Sequence, residues 1–294
     1  MNQTSAVTYN SLLDDATRLI FDASDTPRID AQVLMLHATK KNMAWLISYG
    51  DSIASSKHIE DFFSMIAERQ TGKPIAYITG SREFWTLNLR VNEHVLIPRP
   101  DTETLVENAL SVLDKNDELS ILDLGTGSGA IALSIAKERP NSSVLALDAH
   151  QAALDVAQDN AKRHALSNVK FLLSDWYSAL DNKSSELSIE KPHFDLIASN
   201  PPYIDATDEH LQQGDLRFEP NTALVANNDG LSDIEHIIRN AKKFLKRDAY
   251  LIIEHGYNQQ AAVAQLFEHN GFQNIVCHQD INHLPRCTIG QIYG

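Results

Sequence analysis

An Asn-Pro-Pro-Tyr sequence at residues 200–203 follows an apolar segment, residues 196–199, that has the composition of a buried strand. Proline has no backbone N–H and cannot continue a sheet ladder, so the strand must end there. The loop therefore presents acceptors, namely the side-chain carbonyl of Asn200 and the backbone carbonyls of the prolines. Such a site selects a ligand with donors, and a planar NH2 group fits it, with Tyr203 supplying a flat face. The alternative is a loop that only terminates the strand.

A glycine-rich turn follows another apolar run, in the segment ILDLGTGSGAIALSIA. Gly125, Gly127 and Gly129 allow the backbone to turn sharply beside a ligand before a helix begins. The free N–H groups at a helix N-terminus attract negative or electron-rich groups. The turn alone does not decide between ligands, because many α/β proteins use one for packing and NAD-binding turns are similar.

Two further strands end on polar or aromatic residues. Asp148 lies about twenty residues beyond the glycine turn, where an acid can accept hydrogen bonds from both ribose hydroxyls of a nucleoside. Asp175 could accept from an adenine amino group, and Trp176 could pack on the adenine ring. The alternatives are a solvated strand-end acid for Asp148 and core or lid packing for Trp176. All these strand ends belong to the carboxyl edge of one sheet, where open α/β sheets bind ligands.

The elements that must position these residues alternate between strand and helix from Ser120 onward. Continuous apolar strands in this pattern predict a mostly parallel sheet covered by helices on both faces. The last two strands, FQNIVCHQD and CTIGQIYG, have no helix between them and are expected to form an antiparallel edge. Residues 179–193 are predicted to be a surface loop.

The region before this sheet predicts a small helical bundle. Amphipathic patterns recur through about the first seventy residues, and no strand-like alternation interrupts them. The segment RIDAQVLMLHATK, for example, places Ile29, Val33, Leu34, Leu36 and His37 on one helical face.

A short alternating segment, FWTLNLRV, then predicts a β-hairpin. In this pattern Trp85, Leu87 and Leu89 lie on one side and Phe84 lies on the other. The predicted organisation is a helical substrate-recognition domain at 1–75, a hairpin linker at 76–98 and an α/β domain at 99–294.

Composition excludes several classes of protein. The chain has 294 residues and a formal net charge of -14. This charge argues against a protein that binds the phosphates of duplex nucleic acid over a wide surface. The two cysteines are expected to be reduced thiols, and the twelve histidines show no HxH or HExxH spacing, so no metal site is predicted. Neither a signal peptide nor a membrane span is expected.

The motifs DLGTGSG, the strand-end Asp148 and NPPY together resemble class I S-adenosylmethionine-dependent methyltransferases that modify planar amino groups. The flanking segments narrow the resemblance to the PrmC/HemK family, the protein-(glutamine-N5) methyltransferases that act on peptide-chain release factors. The resemblance covers nearly the whole chain and is carried by GKPIAYITGSREFW, LIPRPDTE, LGTGSGAIALSIA, SNPPYI, LRFEPNTAL and IIEHG.

The resemblance implies a seven-stranded, Rossmann-like α/β methyltransferase domain that binds S-adenosyl-L-methionine. The residues it implies for the cofactor are Gly125, Thr126, Gly127, Ser128, Gly129, Asp148, Asp175, Trp176 and Asn200. Those it implies for the substrate glutamine are Asn200, Pro201, Pro202, Tyr203, Arg99 and Phe84, with Asn200 and Pro201 acting in catalysis. For Arg99, a structural ion pair with a nearby acid is the equal alternative.

The implied substrate is the glutamine of the Gly-Gly-Gln loop of class 1 release factors, whose methylation modulates translation termination. A cytoplasmic monomer with no stable nucleic-acid binding and no membrane contact is expected. One departure is the segment Asp280–Thr288, because the family usually has a glycine about where His283 stands.

Three other functions fit parts of the pattern. A DNA adenine-N6 methyltransferase uses a similar loop on a flipped base, but the acidic charge and the absence of a basic, aromatic reading segment argue against it. A ribosomal-protein glutamine methyltransferase is chemically identical, and mainly the segment PRPDTE argues against it. A nucleotide-binding regulatory module requires the Asn-Pro-Pro-Tyr loop to be incidental.

Overall fold

The computed structural model of the chain describes residues 7–181 and 193–293. Contacts divide the chain into two units. One consists of the residues up to Gly80 together with Gln212–Phe218, and the other consists of Ser81–Leu211 and the residues from Glu219 onward. The roles assigned to the three predicted domains stay a prediction.

The first unit is helical. Its helices are α1 (Tyr9–Leu19), α2 (Pro27–Thr39), α3 (Met43–Tyr49), α4 (Ser56–Gln70) and α5 (Ile75–Thr79). Side chains at the N-caps of three of them accept backbone N–H groups of the first turn: Thr8, Asn42 and Ser55. Each cap satisfies a donor that the helix itself leaves free. The helices enclose a core that includes Leu12, Leu13, Leu34, Met35, Phe62 and Ile66.

The buried face of α2 differs from the predicted one. Ile29 and Val33 are exposed, whereas Asp30 is buried. Arg69 explains the difference, because its Nε donates to Asp30 Oδ2 at 2.8 Å, and a paired acid can be buried. Apolar periodicity alone gave no sign of this ion pair.

A short segment from much later in the chain completes the first unit. Arg217 Nη2 donates to the carbonyl of Thr71 at 3.1 Å. Asp215 Oδ1 lies 4.0 Å from Arg69 Nη1. Gly72 has φ +89° and leaves room for the Arg217 guanidinium, because a β-carbon there would lie 1.6 Å from Nη2.

The second unit begins with a two-stranded hairpin of β1 (Ser81–Phe84) and β2 (Leu87–Arg90). Its turn is Trp85-Thr86, and Trp85 has φ 55°. Phe84 pairs directly with Leu87 across this turn, so both side chains enter the core. The predicted alternation placed Phe84 and Leu87 on different faces of the hairpin, and it is therefore wrong at the turn.

A seven-stranded sheet is the centre of the second unit. Its strands are β3 (Ser120–Leu124), β4 (Ser143–Asp148), β5 (Val169–Leu173), β6 (Phe194–Ser199), β9 (Leu245–Glu254), β10 (Gln273–Gln279) and β11 (Pro285–Gln291), and two short strands, β7 (Ile204–Asp205) and β8 (Val225–Ala226), pair separately. The order across the sheet is β10-β11-β9-β6-β3-β4-β5. Only β11 runs antiparallel to its neighbours, which confirms the predicted antiparallel edge.

Helices cover both faces of this sheet. The helices of the second unit are α6 (Glu103–Ser111), α7 (Ala130–Glu138), α8 (Gln151–Arg163), α9 (Ser178–Asp181), α10 (Asn227–Gly230), α11 (Ser232–Ala241) and α12 (Gln260–His269). Alternate residues of the central strands enter two separate cores, as Ile121 and Leu122 do on β3. This arrangement confirms the predicted α/β fold. The predicted surface loop at 179–193 lies largely outside the described residues.

The chain direction places a ligand crevice in the middle of the sheet. From β3 the chain moves outward through β4 to β5, and it then returns to β6 on the other side of β3. Such a reversal opens a crevice at the carboxyl ends of the strands. None of the helices in 7–181 and 193–293 has the length and apolar character needed to cross a membrane.

Candidate functional site

A cavity of about 280 Å³ lies at the carboxyl ends of β3, β4, β5 and β6. It brings together most of the residues that the sequence singled out: Arg99, Gly125, Thr126, Gly127, Ser128, Asp148, Asp175, Trp176, Asn200 and Pro202. Phe84, Gly129, Pro201 and Tyr203 are not among the described residues that line it. Phe84 is buried in the core because of the hairpin register, so its predicted place in the pocket wall is wrong.

The glycine turn has the left-handed backbone that its composition predicts. Gly125, Gly127 and Gly129 have φ values of 71°, 55° and 86°, a region that costs other residues free energy. A β-carbon on Gly127 would meet open space, whereas one on Gly129 would lie 2.9 Å from Leu133 Cδ1. Gly127 therefore leaves its backbone open to a ligand, and Gly129 is required for packing against α7.

Asp148 connects the turn to β4. Its Oδ2 accepts the Gly127 N–H at 2.9 Å, and its Oδ1 accepts the His150 N–H at 2.9 Å. A carboxylate has about four lone-pair sites, so both oxygens can still accept from a ligand. The two backbone bonds hold the carboxylate at the cavity wall before any ligand arrives.

Asp123 lies beneath the turn and is fully buried. Its Oδ2 accepts the hydroxyl of Thr126 at 2.7 Å, while Oδ1 has no hydrogen-bond partner within residues 7–181 and 193–293. Burial raises the pKa of this carboxyl to about 7, and the nearby charge of Asp148 adds to the rise. The sequence marked this residue only as the end of a strand.

The aromatic wall of the cavity is Trp176, which has an unusual backbone. Its φ is 45°, and its carbonyl accepts the hydroxyl of Ser174 at 2.7 Å. The ring lies over Gly125, where a β-carbon would lie 3.5 Å from Trp176 Cζ3. Asp233 of α11 also lines the cavity, and burial raises the pKa of its carboxyl.

The Asn-Pro-Pro-Tyr loop leaves β6 beside the same cavity. Asn200 Nδ2 donates to Thr102 Oγ1 at 3.2 Å, which turns the amide oxygen away from Thr102. Pro202 lines the cavity, whereas Pro201 is buried. Tyr203 donates its hydroxyl to Glu254 Oε1 at 3.3 Å, and burial raises the pKa of the phenol.

Arg99 lines the cavity but is already paired. Its Nη2 donates to Oε1 of Glu219, whose side chain is fully buried. The other oxygen of Glu219 accepts the Ile97 N–H at 3.3 Å. The guanidinium therefore faces the cavity with its charge largely compensated, which agrees with the ion-pair alternative.

The residues that follow Arg99 in the sequence have different partners in the structure. Thr102 lines the cavity, whereas Glu103 accepts the backbone N–H of Trp85 at 2.7 Å. Asp101 pairs with Arg286 at 3.3 Å. Only part of the PRPDTE segment thus faces the cavity.

The atypical segment Asp280–Thr288 forms a defined turn. His283 has φ 61°, which explains a family preference for glycine at this position. Asp280 supports the turn, because its carboxylate accepts the N–H groups of Asn282 and Leu284 at 2.8 and 3.1 Å. Arg286 donates to the same carboxylate at 3.0 Å.

Sequence reasoning missed two residues of this region, Glu219 and Glu254, which are buried acids that hold Arg99 and Tyr203. It also missed the hydrogen bond by which Thr102 holds Asn200. The segments LRFEPNTAL and IIEHG contain the two acids, and an acid inside an apolar segment was the available signal.

These residues fit S-adenosylmethionine. Asp148 offers acceptors for the ribose hydroxyls, Trp176 offers a ring face for the adenine, and Gly127 leaves the space that a side chain would fill. The acceptors and the aromatic wall therefore match the donors and the base of the cofactor.

Both parts of the chain match families of known proteins. Residues 115–291 match the family described as "Methyltransferase domain", and residues 11–80 match the "PrmC N-terminal domain". In the solved structures, the chain is similar to a methyltransferase from Pyrococcus furiosus, with a TM-score of 0.50 and 15% identity over 79% of this chain and 98% of that one. This likeness supports the fold alone.

The sequence relatives are closer. The release factor glutamine methyltransferase of Xylella fastidiosa (strain 9a5c) is 45% identical over 91% of this chain and 94% of its own length. The enzyme with the same name from Escherichia coli (strain K12) is 43% identical over 92% of this chain and 94% of its own. The chain therefore belongs to the release factor glutamine methyltransferase family.

Proposed function

We propose that this chain transfers the methyl group of S-adenosyl-L-methionine to the side-chain amide nitrogen, N5, of a glutamine in peptide-chain release factors. The target is the glutamine of the Gly-Gly-Gln motif of class 1 factors. The observation that carries the proposal is the Asn200 amide, whose NH2 group is held by Thr102 and whose oxygen is left for a substrate NH2 group beside the cofactor cavity.

The cofactor is held by the carboxyl edge of the sheet. The turn at residues 125–129 would line its methionine end, Asp148 would accept its ribose hydroxyls, and Asp175 and Trp176 would lie at its adenine. The bound cofactor supplies an electrophilic methyl group. Asp148 is pre-oriented for this task by the N–H groups of Gly127 and His150.

The substrate nitrogen is a poor nucleophile because its lone pair is delocalised into the amide. Asn200 Oδ1 and the Pro201 carbonyl would accept its two hydrogens, hold the nitrogen in place and favour positive charge on it. Positioning of this kind contributes roughly 7–11 kcal/mol at best, and the two acceptors add about 3–4 kcal/mol.

The nitrogen loses its proton to water after methyl transfer. A protein base is not needed, because the attacking amide does not have to be deprotonated first. Tyr203 is an unsuitable base, since its hydroxyl donates to Glu254 and burial raises its pKa.

A glutamate in place of the substrate glutamine should be rejected. It brings no donor to Asn200 Oδ1 and the Pro201 carbonyl, and its negative charge would face both oxygens. Sites that hydrogen-bond a substrate group reject analogues that lack it by roughly 10⁴-fold or more.

The remaining features of the proposal concern the setting of the reaction. The chain acts as a monomer in the cytoplasm, where release factors work, and it forms no stable complex with nucleic acid, in keeping with its net charge of -14. The N-terminal helical unit gives the factor a second contact surface. Size-exclusion chromatography with light scattering measures whether the chain alone is a monomer. The same measurement with a release factor present tests the second contact surface.

The direct test mixes the purified chain and radiolabelled S-adenosylmethionine with an unmethylated release factor. A second tube contains the factor with its Gly-Gly-Gln glutamine changed to glutamate, and two others contain ribosomes and DNA. We expect label on the unaltered factor only. Label on ribosomes or DNA instead would replace the proposed substrate, and cofactor binding without any label would refute methyl transfer.

Asn200→Ala is the matched variant for the same assay. It should reduce methyl transfer on the order of a hundredfold or more while leaving S-adenosylhomocysteine binding nearly unchanged. A near-normal rate would exclude the role given to Asn200.

A further inference from the structure

We propose that Gln259 is a positioning residue for methyl transfer, which fixes the far end of the Asn-Pro-Pro-Tyr loop so that Asn200 and Pro201 hold the substrate nitrogen at the cofactor. The inference rests on the proposed function and adds a residue to it. Gln259 is not among the described residues that line the cavity, and it needs no contact with the reacting atoms for this role.

The Asn-Pro-Pro-Tyr loop depends on its two ends for its position. Pro201 and Pro202 have no N–H group, so neither can donate a hydrogen bond that would hold the middle of the loop. The first end is fixed by the sheet, because β6 pairs in parallel with both β3 and β9 as far as Ser199. The second end is Tyr203, and the contacts of its backbone therefore decide how the loop lies beside the cavity.

Gln259 holds this second end. It lies between α12 and β9, the strand beside β6, and it is only 8% exposed. Its Nε2 donates to the carbonyls of Tyr203 and Asp229, each at 3.0 Å. Its Oε1 accepts the N–H of Gly256 at 2.8 Å. Both ends of the amide are thus bonded to backbone groups of the chain.

These three partners decide the orientation of the Gln259 amide. The oxygen and nitrogen of an amide have nearly the same shape, so the neighbouring groups must distinguish them. Gly256 offers a donor, whereas Tyr203 and Asp229 offer carbonyl oxygens that can only accept. A glutamine satisfies all three groups at once. A carboxylate of the same shape would satisfy Gly256 but repel both carbonyls.

The backbone that meets Gln259 and Tyr203 is strained. Asn228, Asp229 and Gly230 have φ values of 58°, 54° and 78°, and consecutive left-handed residues persist only where the surroundings compensate their cost. A β-carbon on Gly230 would lie 2.1 Å from the Tyr203 carbonyl oxygen. This turn therefore packs its backbone directly against Tyr203, and Gln259 joins the turn to the loop.

The contact of Gln259 differs from the other support of Tyr203. The phenol hydroxyl donates to Glu254 Oε1 at 3.3 Å, which holds the tip of the side chain. Gln259 holds the peptide unit, which is separated from the Pro201 carbonyl by one residue, Pro202. Because prolines are stiff, a shift of this peptide unit moves the Pro201 carbonyl instead of being absorbed on the way.

The consequence is a loss of rate rather than of affinity when Gln259 is changed. A misplacement of about 1 Å caused by a mutation away from the chemistry can cost roughly a hundredfold in rate. The proposed contact with the release factor extends beyond the glutamine pocket, so KM for the factor should respond much less than kcat. The cofactor residues at 125–129 and 148 do not contact Gln259 by any hydrogen bond within 7–181 and 193–293.

The experiment compares Gln259→Met and Gln259→Glu with the matched control Gln260→Glu, which makes the same chemical change at the exposed next residue. The measurements are kcat and KM for methyl transfer to a release factor and the affinity for S-adenosylhomocysteine. Gln259→Met removes the hydrogen bonds and should lower kcat roughly tenfold, and Gln259→Glu adds repulsion and should lower it roughly a hundredfold. KM and cofactor affinity should stay within about threefold of wild type, and Gln260→Glu should behave like the wild-type chain.

Urea unfolding distinguishes positioning from a role in stability alone. A folded Gln259→Met with wild-type kcat would overturn the inference, and so would a loss that appears mainly in KM or in cofactor affinity. Failure of both Gln259→Met and Gln259→Glu to fold would assign the residue to the stability of the chain and would overturn the inference as well.

Hydrogen exchange without substrate keeps this inference separate from the proposed function. The N–H of Ile204 donates to the carbonyl of Leu224 at 3.0 Å. It should exchange faster in Gln259→Met than in the wild-type chain, because the peptide unit before it is no longer held, whereas the amides of β9 should exchange as in wild type. Unchanged exchange at Ile204 would refute the positioning role alone. Absence of methyl transfer by the wild-type chain would refute the proposed function, whatever the exchange shows.

Discussion

The strongest test of the cofactor site is Asp148→Asn, a change that keeps the shape of the side chain. In the structure the carboxylate accepts two backbone N–H groups, from Gly127 and His150, each at 2.9 Å. An asparagine has only one acceptor oxygen. One of these N–H groups would therefore face an NH2 group, and the glycine turn would lose one of its two supports.

The size of the effect follows from these contacts. A hydrogen bond to a charged group contributes about 1.5–3 kcal/mol, so losing one should weaken cofactor binding roughly ten- to a hundredfold. The asparagine NH2 group also cannot accept from a ribose hydroxyl, which places the loss toward the upper end of this range.

Isothermal titration calorimetry with S-adenosylhomocysteine measures this loss directly. Asp155→Asn is the matched control, because Asp155 is exposed on α8 and bonds only to Gln151, at 2.8 Å, among its described partners. The control should bind like the wild-type chain. If Asp148→Asn is folded and binds within a factor of about two of wild type, the assignment of Asp148 to the ribose is refuted.

Three further predictions concern stability. Gly129→Ala should destabilise the chain by roughly 1–3 kcal/mol in urea unfolding, because φ is 86° and the new methyl group would lie 2.9 Å from Leu133 Cδ1. Asp30→Ala should cost roughly 3–5 kcal/mol in the same assay, because it leaves the guanidinium of Arg69 buried without its carboxylate. Burial raises the pKa of Glu254 from 4.5 to about 7, so the folded chain binds a proton that the unfolded chain has released. Glu254 should therefore lower the free energy of unfolding by about 3 kcal/mol as pH rises through that window. Glu254→Gln should remove this share of the slope and leave the share of Asp123, whose pKa burial also raises to about 7.

Each of these predictions has a control in the chain. Gly80→Ala places a methyl group at φ +70° in open space, so it should cost less than Gly129→Ala. Asp14→Ala breaks an exposed pair with Arg28 and should change stability by less than about 1 kcal/mol. Glu268→Gln, at an exposed position on α12, should leave the pH slope of the wild-type chain intact. Equal effects in a variant and its control would contradict the structural reasons given.

The fold could be predicted almost completely from the sequence. Apolar strands alternating with helices require a parallel sheet, and the missing helix before β11 requires an antiparallel strand. The hairpin was also predicted, but the side of Phe84 was not, because a two-residue turn pairs Phe84 with Leu87 and breaks the alternation. The alternation of side chains predicts which face of a hairpin a residue occupies only within one strand, because a turn can break the alternation.

The candidate site could be predicted in part. Gly125, Gly127 and Asp148 lie at strand ends, where chain order alone brings them to one edge of the sheet. Thr102 and Glu254 could not be assigned in this way, because their positions depend on contacts between segments far apart in the sequence. The role of a buried acid can be assigned only when the hydrogen-bond donors around it are known.

The N-terminal unit consists of two segments that lie far apart in the sequence, and this has a consequence for folding during synthesis. The ribosome completes the helices up to Gly80 long before it reaches Gln212–Phe218, the segment whose Arg217 donates to Thr71. At roughly 5–20 residues per second, the intervening chain takes on the order of ten seconds to synthesise. The unit that is translated first therefore finishes folding late, and a gene cut after Gly80 would encode a helical bundle without one of its parts.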